Sequence, residues 1–284
     1  MFNLFSFCFR RYRRRWFYPM LSLFVALGIA VGSLQPSQAV PFPELILRGV
    51  QVIQLSNISD NKEVQIGKQI NQELVGSEFR LYRNQEINRY VDQIGQQLAA
   101  NSDRPNIAYT FQVVDDEGVN AFATMGGFVY VNTGLLKLAD NEAELASVIG
   151  HEIGHIASRH TVKQMRETAI AGGVATVAGL DRNTAVQIGV DLALRRPHSR
   201  QAELEADQRG LKTLGRTGYA QSAMISFMEK LLDSRSVPAF LSTHPATSDR
   251  ITALKRAIDS PSANVGQGLD SAAYKAKIQP LSRS

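Results

Sequence analysis

Cysteine is nearly absent from this 284-residue chain. The single thiol, Cys8, has no partner, which excludes a disulfide scaffold and any cysteine-based zinc finger. A metal held by this protein must be held by histidine and carboxylate, and there are five histidines. Tryptophan also occurs once, as Trp16. Acidic residues are missing altogether from positions 1–39, which contain Arg10, Arg11, Arg13, Arg14 and Arg15. Beyond position 39 the 26 basic and 26 acidic residues cancel, so the formal charge of +5 resides wholly in the leader. The nucleic-acid or anionic-surface partner that a basic total suggests therefore has no support, and no nucleic acid is expected. No internal repeat of 20–50 residues is visible.

The leader has the three parts of an export signal: the arginines, an apolar stretch from about Met20 to Val31, and the small residues of Ser37-Gln38-Ala39. The expectation is a signal peptide over 1–39. The alternative is a signal anchor, with membrane association through residues 16–34. Either way everything after about residue 40 crosses to the periplasm or another extracytoplasmic compartment. The domain then runs over 40–259, and the Ser/Gly/Asn/Gln-rich stretch 260–284 reads as a flexible tail.

Apolar spacing predicts three opening helices, on Leu45–Ile53, Val64–Leu74 and Ile87–Leu98. A β segment follows at about 108–115. Val119–Thr124 and Phe128–Asn132 then read as two strands joined by the Gly126-Gly127 turn. A helix N-capped by Asn141, with Glu144 completing a capping box, is expected to continue to about 165. Residues 168–180 are small and apolar but too few to span a membrane, so a packed helical hairpin with about 184–195 is expected. Helices at about 199–214, 220–233 and 247–259 follow.

The chemistry concentrates in His151-Glu152-Ile153-Gly154-His155. Residues four apart on a helix lie one turn along the same face, so both imidazoles can grip one ion. Glu152 sits beside that face, within reach of a water at the ion. Gly150 and Gly154 let a neighbouring backbone approach. A catalytic zinc commonly takes three protein ligands. His160 falls one residue short of the metzincin position, and on a continuous helix it faces away from His155, so it reads as a surface or packing residue. The better third ligand lies in Ser199–Asp207. Glu203 can bind the ion, and Asp207, one turn on, can accept an imidazole N–H and fix its tautomer. Glu205 points elsewhere and pairs with Arg209. His198 has no assigned role.

Several motifs occur in a fixed order: Asn120-Ala121-Phe122-Ala123, Gly126-Gly127, Asn132-Thr133-Gly134-Leu135-Leu136, Asn141–Ala146, His151–His155, Ser199-Arg200 with Glu203 and Ala206-Asp207, and a late His244-Pro245 with Arg250-Ile251. Together they resemble the gluzincin metallopeptidases that include HtpX, BepA, Oma-type proteases and the type I CAAX prenyl proteases. The resemblance implies an α+β, mainly helical fold, with a zincin-like core and a small antiparallel sheet packed on the active-site helix. It also implies one zinc ion per chain and endopeptidase activity on unfolded or misfolded envelope proteins, with Glu152 as general base. It suggests that His244 lies near the metal, either stabilising an oxyanion or occupying the open position. Thr124-Met125 departs from the Leu-Pro found in many relatives. The strand Phe128-Val129-Tyr130-Val131 can be an exposed edge that aligns substrate by backbone pairing, although a core hairpin explains the same residues. The rival function is a chaperone-like envelope binding protein with a latent protease site.

Overall fold

Ile66, Ile70 and Leu74 recur at helical spacing, as do Ile87, Val91, Ile94 and Leu98, and each set is buried. In the computed structural model, which describes residues 58–172, 182–233, 238–245, 248–258 and 265–282, these sets lie on α1 (Asp60–Glu73, ending in a π turn) and α2 (Gln85–Ala100). Ser59 and Asn84 cap them by accepting backbone N–H groups. The leader, the expected Leu45–Ile53 helix and residues 173–181 lie outside the described residues.

Three strands follow: β1 (Thr110–Val114), β2 (Ala121–Ala123) and β3 (Phe128–Asn132). β2 and β3 form the expected hairpin, and its turn uses the positive φ of Gly126 (78°) and Gly127 (96°). The sheet order is β1-β3-β2, and β1 pairs parallel with β3, so the sheet is mixed rather than antiparallel throughout. β3 is therefore the central strand. Val129 and Val131 face the larger core beneath the later helices, while Phe128 and Tyr130 face a second core shared with α1.

After the short α3 (Thr133–Leu138), helix α4 (Glu142–Ala157) starts as expected, with Asn141 Oδ1 accepting from the Glu144 amide at 3.0 Å. The Glu144 carboxylate returns to the Asp140 amide, one residue earlier than in a standard capping box. The far end differs from expectation. The helix stops at Ala157, Arg159 takes the left-handed conformation (φ 55°, ψ 37°), and α5 (His160–Ala171) starts in a new direction. A non-glycine residue there costs roughly 1–2 kcal/mol. Buried Glu63 offsets it: its carboxylate meets Arg159 Nε at 3.0 Å and Arg104, which also donates to the Ile156 carbonyl at the helix end.

α5 packs on α6 (Arg182–Arg195). Then come α7 (Arg200–Thr217, capped by Ser199), α8 (Ser222–Asp233), the short α9 (Phe240–Thr243) and α10 (Ser248–Ala257). Among the described residues no helix is long and apolar enough to cross a membrane. The expected loose tail is corrected over 265–282. Asp270 caps α11 (Ser271–Ile278), Tyr274 is buried with its hydroxyl donating to the Leu136 carbonyl at 2.7 Å, and Leu281 is also buried. Polar composition hid the few apolar anchors that dock this segment.

The most extensive helix contact joins α4 to α7. A Cβ on Gly154 would lie 2.6 Å from the Ala206 carbonyl oxygen and 3.0 Å from its Cα, so the two backbones touch there. At Gly150 the nearest atom, the Gly210 oxygen, would be 3.5 Å away, an ordinary contact. Replacing a helical glycine by alanine gains about 0.5–1 kcal/mol in propensity, whereas overpacking costs about 1–3 kcal/mol. The two glycines should therefore respond with opposite signs. In urea unfolding, Gly150→Ala is expected to leave stability level or raised, and Gly154→Ala to lower it by about 1–2 kcal/mol.

Candidate metal centre

Close approach of α4 and α7 puts Glu203 and Asp207 against the imidazoles of His151 and His155. All four side chains are buried. His151 Nε2 and His155 Nε2 lie 3.0 Å apart, and Glu203 Oε1 is 3.3 Å from His155 Nε2. His244, at the C-terminal end of α9, adds a fourth donor: its Nδ1 is 3.3 Å from His151 Nε2 and 3.2 Å from Glu203 Oε1. One donor atom from each of these four residues falls within 4.8 Å of the others. A tetrahedral ion with bonds of about 2.0–2.1 Å sets its donors roughly 3.3 Å apart. The donor set fits such an ion in spacing and in chemistry.

Charge fits as well. Three buried carboxyls, those of Glu152, Glu203 and Asp207, surround the site with one buried guanidinium, that of Arg250. Arg250 grips Asp207 through Nε (2.7 Å) and Nη2 (2.6 Å) and reaches Glu203 Oε2 through Nη1 at 2.6 Å. Burial disfavours charge on His151, yet Asp207 and Glu203 outweigh it and raise its pKa to about 9. Burial likewise opposes the charged form of Glu203, but His244 and hydrogen bonds from His151 and His155 hold its carboxyl far below the usual range. Asp207 is also lowered: burial acts against it, and Arg250 and His151 prevail. His155 is held neutral by burial and by neighbouring His198, and neutral imidazole is the form that binds a metal.

Glu152 follows His151 on α4 and is fully buried, with no hydrogen-bond partner on either oxygen among the described residues. Burial raises its pKa, only partly countered by His244 and His151. Its Oε1 lies 3.4 Å from His244 Nε2. Asp207 Oδ1 is 2.9 Å from His151 Nδ1, the outer nitrogen of that ring.

Phe128, Val129, Tyr130 and Val131 are the exception among the sequence-derived site residues. β3 is paired on both edges and all four side chains are buried, so no open edge exists there. The hairpin places β2, not β3, on the outside of the sheet. The β2–β3 bonds flanking it, from the Thr124 amide to the Phe128 carbonyl and from Asn132 to Asn120, turn the backbone groups of Ala121 and Ala123 away from β3.

Sequence reasoning missed four participants. His160 is buried, with its Nδ1 2.8 Å from His155 Nδ1. The helical-wheel argument that turned it away assumed an unbroken helix, and the break at Arg159 voids that geometry. Glu205, expected to be a plain solvated partner of Arg209, also meets His160 Nε2 at 3.3 Å. His198 stacks on His155 with ring centroids 4.0 Å apart, and burial together with His244 lowers its pKa to about 3. Arg250 stood in a recognised motif without a role. Only its position one turn after the loop carrying His244 hinted at the site.

The sequence profile of peptidase family M48 matches residues 85–258. The chain belongs to peptidase family M48. It is 33% identical over 237 residues to a putative beta-barrel assembly-enhancing protease of Vibrio cholerae, covering 74% of this chain and 49% of that one. It is 35% identical over 162 residues to the mitochondrial metalloendopeptidase OMA1 of Arabidopsis thaliana, covering 56% and 33%. With the metalloprotease LoiP of Escherichia coli it shares 28% identity over 242 residues, covering 81% and 93%. The chain thus spans about half the length of the beta-barrel assembly-enhancing proteases it matches. The M48 profile covers α2 through α10.

Arg250 holds two buried carboxylates, so its loss removes the permanent positive charge they share. Arg250→Met is expected to cost the metal-free protein about 3–5 kcal/mol, read from urea unfolding. Arg200→Met, which removes an exposed pair with Asp249, is the control and should cost under about 1 kcal/mol.

Proposed function

We propose that the chain is a zinc-dependent endopeptidase acting on misfolded or mistargeted proteins of the cell envelope, with Glu152 as general base. The observation that carries this reading is the convergence of His151 Nε2, His155 Nε2 and Glu203 Oε1 beside the buried Glu152 carboxylate, whose oxygens make no hydrogen bond among the described residues. His151, His155 and Glu203 would hold the ion. When bound, zinc supplies Lewis acidity for the scissile carbonyl and makes a water acidic enough to attack near neutral pH.

The protein's own groups do the remaining work. Glu152 takes the proton of the attacking water and delivers it to the leaving amine. Burial suits it to both tasks, because it brings the carboxyl closer to neutral pH than an exposed glutamate. Asp207 accepts from His151 Nδ1 and so keeps Nε2 free to face the metal. Arg250 keeps Asp207 and Glu203 ionised and in place.

An extended substrate would align on β2, whose outward-facing Ala121 and Ala123 backbone groups can pair with it. The segment carrying His244 competes for this place. The Phe240 amide donates to the Val119 carbonyl at 2.9 Å, just before β2, while His244 Nδ1 stands 3.3 Å from His151 Nε2, where it would be a fourth donor to an ion. Four protein ligands leave no position for a water. With an ion bound, His244 would therefore be an occluding ligand in this closed arrangement, and opening would require the Pro238–Pro245 segment to withdraw. The same closure lends weight to the second reading, a chaperone-like binding protein whose protease site stays latent.

The substrate class rests on the relatives named for beta-barrel assembly and on the leader's basic–apolar–small pattern, which would deliver the domain beyond the cytoplasmic membrane. Glu152→Gln is expected to keep one zinc per chain and to lose about 10²–10⁴-fold in cleavage of an unfolded protein such as casein. Full activity in that variant sinks the assignment, as does wild-type cleavage unaffected by a zinc chelator. His244→Ala should retain zinc and cleave faster, by roughly tenfold if the closed state is favoured by about 1.4 kcal/mol. A His244→Ala protein that barely cleaves would return the residue to an oxyanion role. One that binds unfolded protein without cutting it would favour the latent binder.

A further inference from the structure

We propose that His160 and Glu205 form a relay that fixes the imidazole of His155, so that each of the two histidine ligands is held from behind by a carboxylate of α7. This rests on the reading of His155 as a metal ligand. His155 turns Nε2 toward Glu203 and His151, and its Nδ1 lies 2.8 Å from Nδ1 of His160. A neutral imidazole that binds through Nε2 carries its proton on Nδ1. That N–H points at His160 Nδ1, which must accept. The proton of His160 is then on Nε2, 3.3 Å from Glu205 Oε2, and is donated there. One tautomer assignment satisfies both rings. Glu205 is in turn held by Arg209 through Nε and Nη2, and Arg209 Nη1 reaches Asp103 at 2.7 Å.

The arrangement repeats that of His151 with one imidazole added. His151 Nδ1 meets Asp207 directly, and Asp207 is gripped by Arg250. Glu205 lies two residues from both Glu203 and Asp207 and so on a different face of α7. It cannot reach α4 as they do. His160 closes that gap because the left-handed turn at Arg159 folds the start of α5 back beside α4. His160 is thus a positioning residue, acting on the metal only through His155.

Zinc affinity of the full chain, measured by competition with a chromophoric chelator and zinc alone, tests this without relying on catalysis. His160→Phe fills the space but cannot accept from His155 Nδ1. It should weaken zinc binding by about 10–100-fold. His160→Asn offers an amide oxygen close to where Nδ1 stands and should remain within about threefold of wild type. Glu205→Ala alters a partly exposed residue and should lose affinity severalfold. Wild-type affinity in both His160→Phe and Glu205→Ala overturns the relay. So does an equal loss in His160→Asn and His160→Phe, which would mean that the ring only fills space. If His160→Phe fails to fold, Glu205→Ala decides alone. A wild-type chain that binds no zinc would instead overturn the metalloprotease reading itself.

Discussion

The contact between the backbones of α4 and α7 sets the geometry of the whole site. Gly154 lies against Ala206, and Gly150 lies near Gly210. A side chain in the Gly154–Ala206 gap would move Glu203 and Asp207 away from the histidines, which need them within about 3 Å. Small residues here are not merely permissive packing. They bring two charged, hydrogen-bonding helix faces close enough to share one ion, and the rest of the fold braces those two helices. The sheet supports α4 from one side, α8 and α10 lean on α4 and α7, and Glu63 fixes the point where α4 ends.

Such proximity is electrostatically expensive without compensation. Burying Glu152, Glu203 and Asp207 together is tolerable because each has a specific answer. Arg250 spans Glu203 and Asp207, histidines surround Glu203, and burial lets Glu152 hold its proton to higher pH. The pocket is thus built to favour positive charge at one point while keeping His155, His160 and His198 neutral. His244 arrives from a separate segment and completes the donor set.

Much of this was legible in the residues. The i,i+4 histidines, the Glu203/Asp207 pair, the Asn141 cap and the glycine turn between β2 and β3 are local patterns with local causes, and the structure carries each where the spacing puts it. What escaped is non-local. The parallel partnership of β1 with β3 depends on a crossover no window of sequence reports, and it moved β3 from edge to centre. The break at Arg159 is imposed by Glu63, nearly a hundred residues earlier, against the residue's own preference. That one break brought His160 and Glu205 to the site. The docked C-terminal segment relies on Tyr274 and Leu281, too few apolar residues to outweigh a polar composition when read alone.

That last segment has a temporal consequence. The Gly268 carbonyl accepts the Ala143 amide at 2.9 Å, closing the first turn of α4, and Tyr274 bonds back to Leu136 just ahead of it. The helix bearing the histidines is thus braced at its start by residues more than a hundred positions later. A chain that emerges N-terminus first exposes residue 143 long before residue 268. Contacts of such separation also close slowly, because loop entropy must be overcome first. The helix bearing the histidines gets its last support only after residue 268 has emerged, so the donor cluster is braced late in the synthesis of each new molecule.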